Sequence, residues 1–211
     1  MIPSVIKAVK SPSLLAAAAP EGVAADDALR AAAEHYCAHE FNVLGSGWRR
    51  VYHGMECAGF EGKRFPRGAD YPAARRELPA TALPEHDRLM ALARQFHPGY
   101  VPIDWQLDFK SGFRWNGGAH HTELKYGLIE GVDAKVSADL GRCYHLVILA
   151  RAWRAFGEER YRAEAVVQTL DWLASNPCER GAGWRACMNV AIRAANLVAL
   201  WDILGYGSGR E

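Results

Sequence analysis

The chain has 211 residues, half of them hydrophobic and 23% charged, with a formal net charge of +1. That length is enough to bury a sizeable core, and the composition is that of an ordinary globular protein. The balanced charge excludes nucleic acid as the default partner, although a local cluster of arginines still suits an acidic ligand.

Five cysteines (Cys37, Cys57, Cys143, Cys178 and Cys187) contain no C-x-x-C pair and are odd in number. Neither a zinc site nor a closed disulfide framework is expected, and most of these thiols are expected in the core. The N-terminus has a basic start, but its uninterrupted apolar run, Leu14 to Ala19, is shorter than the ~7–15 residues of a secretory h-region. No stretch approaches the ~20 apolar residues of a membrane span. These features favour a cytoplasmic location over a periplasmic one and predict no membrane partner. Residues 1–23 are expected to form a flexible segment ahead of a helical domain over residues 24–211.

From Ala24 to Phe41 the pattern predicts a helix, with Asp26 and Asp27 near the positive end of its dipole. The next forty residues, to about Ala82, are rich in Gly, Pro and Arg, and predict irregular chain. Pro84 to Phe96 reads as a second helix, stopped by His97-Pro98-Gly99. Ile103 to Gly118 alternates aromatic and charged residues and predicts an extended loop. Its Trp105, Phe109, Phe113 and Trp115 either cover a core or offer flat faces to sugar rings. His120 and His121, followed by Glu123, invite a metal reading, but adjacent histidines of an extended strand point to opposite faces, and no metal is expected. Nothing in the sequence requires a cofactor.

Ala138 to Phe156 predicts a mostly apolar, buried helix, along which Asp139, Arg142 and His145 form a polar track. Glu158 to Ala174 predicts an outer helix, with Glu164, Gln168, Asp171 and Ser175 on a wet face and Val166, Leu170 and Leu173 on a dry one. Between Trp184 and Trp201 there is neither Pro nor Gly, and Arg185, Asn189, Arg193 and Asn196 share one face of an otherwise apolar helix. That stripe either lines a cleft for a polar ligand or bonds to neighbouring helix ends. Two apolar helices flanking an amphipathic one suit an α/α toroid or helical solenoid. The fold expected is therefore all-α, a partial α/α toroid with a long, irregular, loop-rich N-terminal half.

The ordered segments D-W-Q-L-D-F-K-S-G-F-R-W (Asp104–Trp115), D-A-K-V-S-A-D-L-G-R (Asp133–Arg142), G-E-E-R-Y (Gly157–Tyr161), D-W-L-A-S-N-P (Asp171–Pro177) and G-W-R-A-C-M-N-V-A-I-R-A-A-N (Gly183–Asn196) resemble the N-terminal helical domain of the heparinase II/III-like family, and F-N-V-L-G-S-G (Phe41–Gly47) fits the same pattern. The resemblance covers most of residues 35 to 204. It implies an incomplete α/α toroid, followed in full-length members by an antiparallel β-sandwich. Those members are mostly polysaccharide lyases that cleave uronate-containing chains such as heparan sulfate, alginate or exopolysaccharides by β-elimination. In the family, Asn, Tyr and His residues neutralise the uronate carboxylate, take the C5 proton and protonate the leaving oxygen. The family's Asn-His motif follows the helix that ends here near Leu204, so no residue of this chain inherits a catalytic role. Asn189 stands where the family commonly has an acidic residue, and Ser137-Ala138-Asp139 where it has Pro-Trp-Glu.

The expected function is accordingly the N-terminal portion of a lyase for acidic polysaccharide, not catalytically complete as this chain. The expected substrate-binding residues are Arg142, His145, Trp184, Arg185, Asn189 and Arg193, the arginines pairing with carboxylate or sulfate and Trp184 stacking on a sugar face. A missing C-terminal domain of the same protein is the further partner expected. The alternatives are a non-catalytic carbohydrate-binding or scaffold domain or an inactive truncated product, and a toroid glycoside hydrolase using two of Asp104, Asp108, Asp133 and Asp139.

Overall fold

Local signals set most helix boundaries. In the computed structural model, which describes residues 26–65 and 69–205, α1 spans Asp27–Cys37 and opens where the Asp26 carboxylate accepts from the Leu29 N–H at 2.5 Å. It ends four residues before the expected Phe41, because His39 turns to a φ of 55° and Glu40–Phe41 (β1) pairs antiparallel with Arg49–Arg50 (β2). The stretch expected to be irregular contains a short helix, α2 (Tyr71–Arg76), capped by Asp70 and with Pro72 in its first turn. α3 (Leu83–Phe96) follows within one residue of expectation. The single helix expected over Ala138–Phe156 is two: α4 (Ala134–Leu140), capped by Asp133, and α5 (Tyr144–Phe156). Between them Cys143 sits in the left-handed region at φ 62°, which no continuous helix permits. α6 spans Glu159–Ser175, and a 3-10 turn at Ala182–Trp184 leads into α7 (Cys187–Ile203). The expected flexible N-terminal segment lies outside the described residues.

The helices pack as a row. α3 lies on α6, α6 on α5, and α5 takes both α7 and α1. Helices dominate and the named strands form one two-residue ladder, so the all-α class holds.

Two helices face the opposite way from expectation. On α6, Glu164, Gln168 and Asp171 are buried, while Leu173 is 45% exposed. The wet face turns inward because it has partners there. Glu164 meets the His39 ring at 2.7 Å, Gln168 donates to Glu164 and to the Tyr36 carbonyl at 2.9 Å each, and Asp171 accepts from the Tyr100 hydroxyl at 2.7 Å and the Ile103 N–H at 2.8 Å. α6 is thus a central helix, not an outer one. α7, expected to be covered on nearly all sides, buries only Asn189, Arg193 and Leu200 and exposes Met188, Val198 and Trp201.

The loop between α3 and α4 is packed into the core through Ile103, Trp105, Leu107, Phe109 and Trp115, all buried. Of the four aromatics in question, Trp105, Phe109 and Trp115 therefore cover a core, and Phe113 is half-buried against the rings of Phe65 and Trp115. The loop's polar residues Asp104 and Gln106 are satisfied within the protein. Asp104 accepts from Arg114 Nε at 2.9 Å, and Gln106 donates to Asn176 at 2.8 Å and accepts from the Ala182 N–H at 2.9 Å. The paired glycines have a steric cause, since a Cβ on Gly118 would stand 1.7 Å from the Glu77 carbonyl oxygen. Cys57 and Cys143 are buried, Cys37 is partly so, and Cys178 and Cys187 are exposed, which corrects the expectation that most thiols are in the core. No helix among the described residues is long and apolar enough to cross a membrane.

Candidate functional site

The break between α4 and α5 leaves backbone carbonyls without helical partners, and the polar stripe of α7 faces them. Arg193 donates through Nη1 to the Gly141 carbonyl at 3.0 Å and the Gly183 carbonyl at 3.1 Å, with its guanidinium 4.1 Å from the Trp172 ring centroid and 4.8 Å from that of Trp184. Asn196 donates to the Arg142 carbonyl at 2.8 Å. The Arg142 side chain is held on two sides, by Asn189 Oδ1 at 2.9 Å and by Asp139 at 2.8 Å. Burial pushes the Asp139 carboxyl up, and Arg142 pulls it partly back.

Five of the six expected residues therefore gather where α4, the 3-10 turn and α7 meet. Arg193 and Asn189 are buried and committed to internal bonds. Trp184 is half-buried, its indole N–H donating to the Asn176 carbonyl at 3.3 Å. Arg142 keeps an exposed edge, and Arg185 is exposed, lying 4.1 Å over the Tyr126 ring. His145 is separate. It is buried on α5 among the rings of Tyr36, Phe41 and Trp105 at 5.1–5.9 Å. Sequence reasoning missed Tyr126, because the loop that carries it to Arg185 has no periodic signal. Trp172, taken only as part of a motif, proves to be the platform for Arg193.

Replacing Arg193 with Ala removes two charge-assisted bonds and two ring contacts from a buried position. Arg193→Ala is expected to lower stability by about 2 kcal/mol in urea unfolding. An unchanged midpoint would mean the stripe is free to serve a ligand alone.

The four aspartates considered for glycosidic hydrolysis have local duties. Asp104 binds Arg114, Asp108 accepts from the Ser111 hydroxyl at 2.6 Å and from the Asp133 N–H at 3.0 Å, Asp133 caps α4, and Asp139 binds Arg142. His120 and His121 do not point apart as in a strand. His120 caps a 3-10 turn at His121–Glu123, bonds Thr122 at 2.7 Å, and lies tilted beside His121 with ring centroids 4.7 Å apart. Among the described residues no three His, Cys, Asp or Glu side chains are grouped to hold a metal ion.

The family profile described as Heparinase II/III N-terminus matches residues 76–205, from the end of α2 through α7. No curated protein and no solved structure matches the chain significantly. A match across more than half of the sequence, with α3 to α7 and the polar junction inside it, establishes that the chain belongs to the heparinase II/III N-terminus family.

Proposed function

We propose that the chain is the N-terminal portion of a polysaccharide lyase acting on uronate-containing polysaccharide by β-elimination, and that its row of helices is part of an α/α toroid. The observation that carries this reading is the family match over residues 76–205. β-Elimination needs the uronate carboxylate neutralised before the C5 proton can leave. Arg142, whose side chain is 18% exposed, and the exposed Arg185 are cations at the α4–α7 junction, and half-buried Trp184 directly precedes Arg185. Their role is to hold acidic substrate. No residue of this chain is assigned the base or the acid.

A second reading, a non-catalytic carbohydrate-binding or scaffold domain, is favoured by one observation: Arg193 Nη1, Asn189 Oδ1 and Asn196 Nδ2 are taken up by internal bonds. One assay separates the two. The 211-residue chain and the product of its whole natural reading frame are each incubated with alginate and heparan sulfate, and unsaturated uronate ends are followed by ultraviolet absorbance. The lyase reading expects such ends from the whole product and none from the isolated chain. Their absence from both would support the scaffold reading, and activity of the chain alone would place catalytic groups within it.

A further inference from the structure

An opening that the α4–α7 junction does not use lies between the β1–β2 connection and the segment Met55–Phe60. It encloses about 270 Å³, and its lining includes Gly45, Ser46, Arg49, Met55, Phe60 and Lys110. That is just below the ~300 Å³ at which small-molecule pockets begin, the scale of a single sugar ring and not of a chain segment.

One wall is bare backbone. Leu44, Gly45 and Gly47 have φ of 51°, 71° and 68°, and a Cβ added to either glycine would meet no atom within 4 Å. Lys110 fixes this wall, donating from Nζ to the Leu44 carbonyl at 2.7 Å while standing 5.6 Å from the Phe60 ring centroid. An ammonium has three donors, so two remain for another acceptor. Phe60 is 37% exposed and offers a flat apolar face. Arg49 is exposed, and among the described residues its guanidinium has neither an ion pair nor a hydrogen bond. The one acid in the lining, Glu56, is paired with Arg64 at 3.2 Å. The cleft therefore combines an unpaired planar cation, an ammonium with two donors left and an aromatic platform, with its single negative charge already engaged.

We propose that this cleft binds one anionic sugar unit, its ring face on Phe60 and its carboxylate or sulfate on Arg49 and Lys110. The proposal rests on the acidic-polysaccharide reading above, and it adds a subsite that shares no lining residue with the α4–α7 junction. A free fork of N–H donors matches a carboxylate bidentately, which an ammonium alone does not.

The test is titration calorimetry of the full chain with an alginate-derived tetrauronate, a heparin-derived tetrasaccharide and neutral cellotetraose. Wild type is expected to bind an acidic tetrasaccharide and not the neutral one, and the acidic compound bound tells carboxylate from sulfate. Arg49→Ala is expected to weaken that binding about tenfold or more without changing the melting temperature. Arg151→Ala, at an exposed position on α5, is expected to leave it unchanged. Equal affinity in Arg49→Ala, equal losses in both variants, or no binding of either acidic compound would each overturn the subsite. The lyase reading is judged apart from this, by unsaturated ends from the whole natural product.

Discussion

Asp171→Ala is expected to destabilise the fold by about 3–5 kcal/mol, measured as the loss of unfolding free energy in urea at neutral pH. The side chain is fully buried on α6, and one oxygen, Oδ2, takes both the Tyr100 hydroxyl at 2.7 Å and the Ile103 N–H at 2.8 Å, while Oδ1 takes Ser175 at 3.1 Å. Removing the carboxylate leaves a buried hydroxyl and a buried amide unsatisfied. Each such orphan costs about 1–3 kcal/mol. The same three donors favour the charged form, yet burial outweighs them and raises the Asp171 carboxyl above its ordinary value. The contrast is Leu173, two residues on and 45% exposed. Leu173→Ala is expected to cost far less than the aspartate change, although helical periodicity alone would rank the two the other way. A small effect at Asp171 with a large one at Leu173 would restore the outer-helix arrangement.

That inversion marks where the sequence stops being legible. Caps and stops are written within a few residues of where they act. Asp26 and Asp133 begin helices, Pro84 sits in the first turn of α3, and Gly157 ends α5 at a φ of 70°. Periodicity likewise shows that Arg185, Asn189, Arg193 and Asn196 share a face. It does not show which face is covered, because the partners come from far along the chain. Asp171 is satisfied by groups 68 and 71 residues away, and Glu164 by a histidine 125 residues away. An inward polar face and a solvent-facing one have the same spacing, and only tertiary partners distinguish them. The α4–α5 break was hidden for a related reason, since Cys143 holds a left-handed conformation that its residue type does not announce. The candidate site was legible as a set of residues and not as a set of bonds. Arg193 was visible as a cation on a stripe, whereas its carbonyl partners at Gly141 and Gly183 depend on that break.

Acidification from pH 7 to pH 4 is expected to remove about 3 kcal/mol of stability through His145 alone. Its ring is enclosed by those of Tyr36, Phe41 and Trp105, and its Nε2 has no hydrogen-bond partner. Burial, with a smaller contribution from nearby His39, pushes its pKa from the usual 6.5 down to about 3. The folded protein therefore keeps the ring neutral while the unfolded chain takes up a proton below pH 6.5. Stability from this residue is complete above that value and is lost as pH falls toward 3, at about 1.4 kcal/mol per pH unit. Burial depresses His53 as well, so it acts in the same direction. His145→Phe keeps an aromatic ring of similar size in an aromatic setting and is expected to change stability at pH 7 by less than about 1.5 kcal/mol. Its effect belongs at low pH, where the drop between pH 7 and pH 4 should be about 3 kcal/mol smaller than in wild type. An identical drop in the variant would mean that His145 is protonated within the folded protein, as a residue open to solvent and to an acidic substrate would be. The acid limb of the urea midpoint thus separates a histidine that fills the core from one that serves a site.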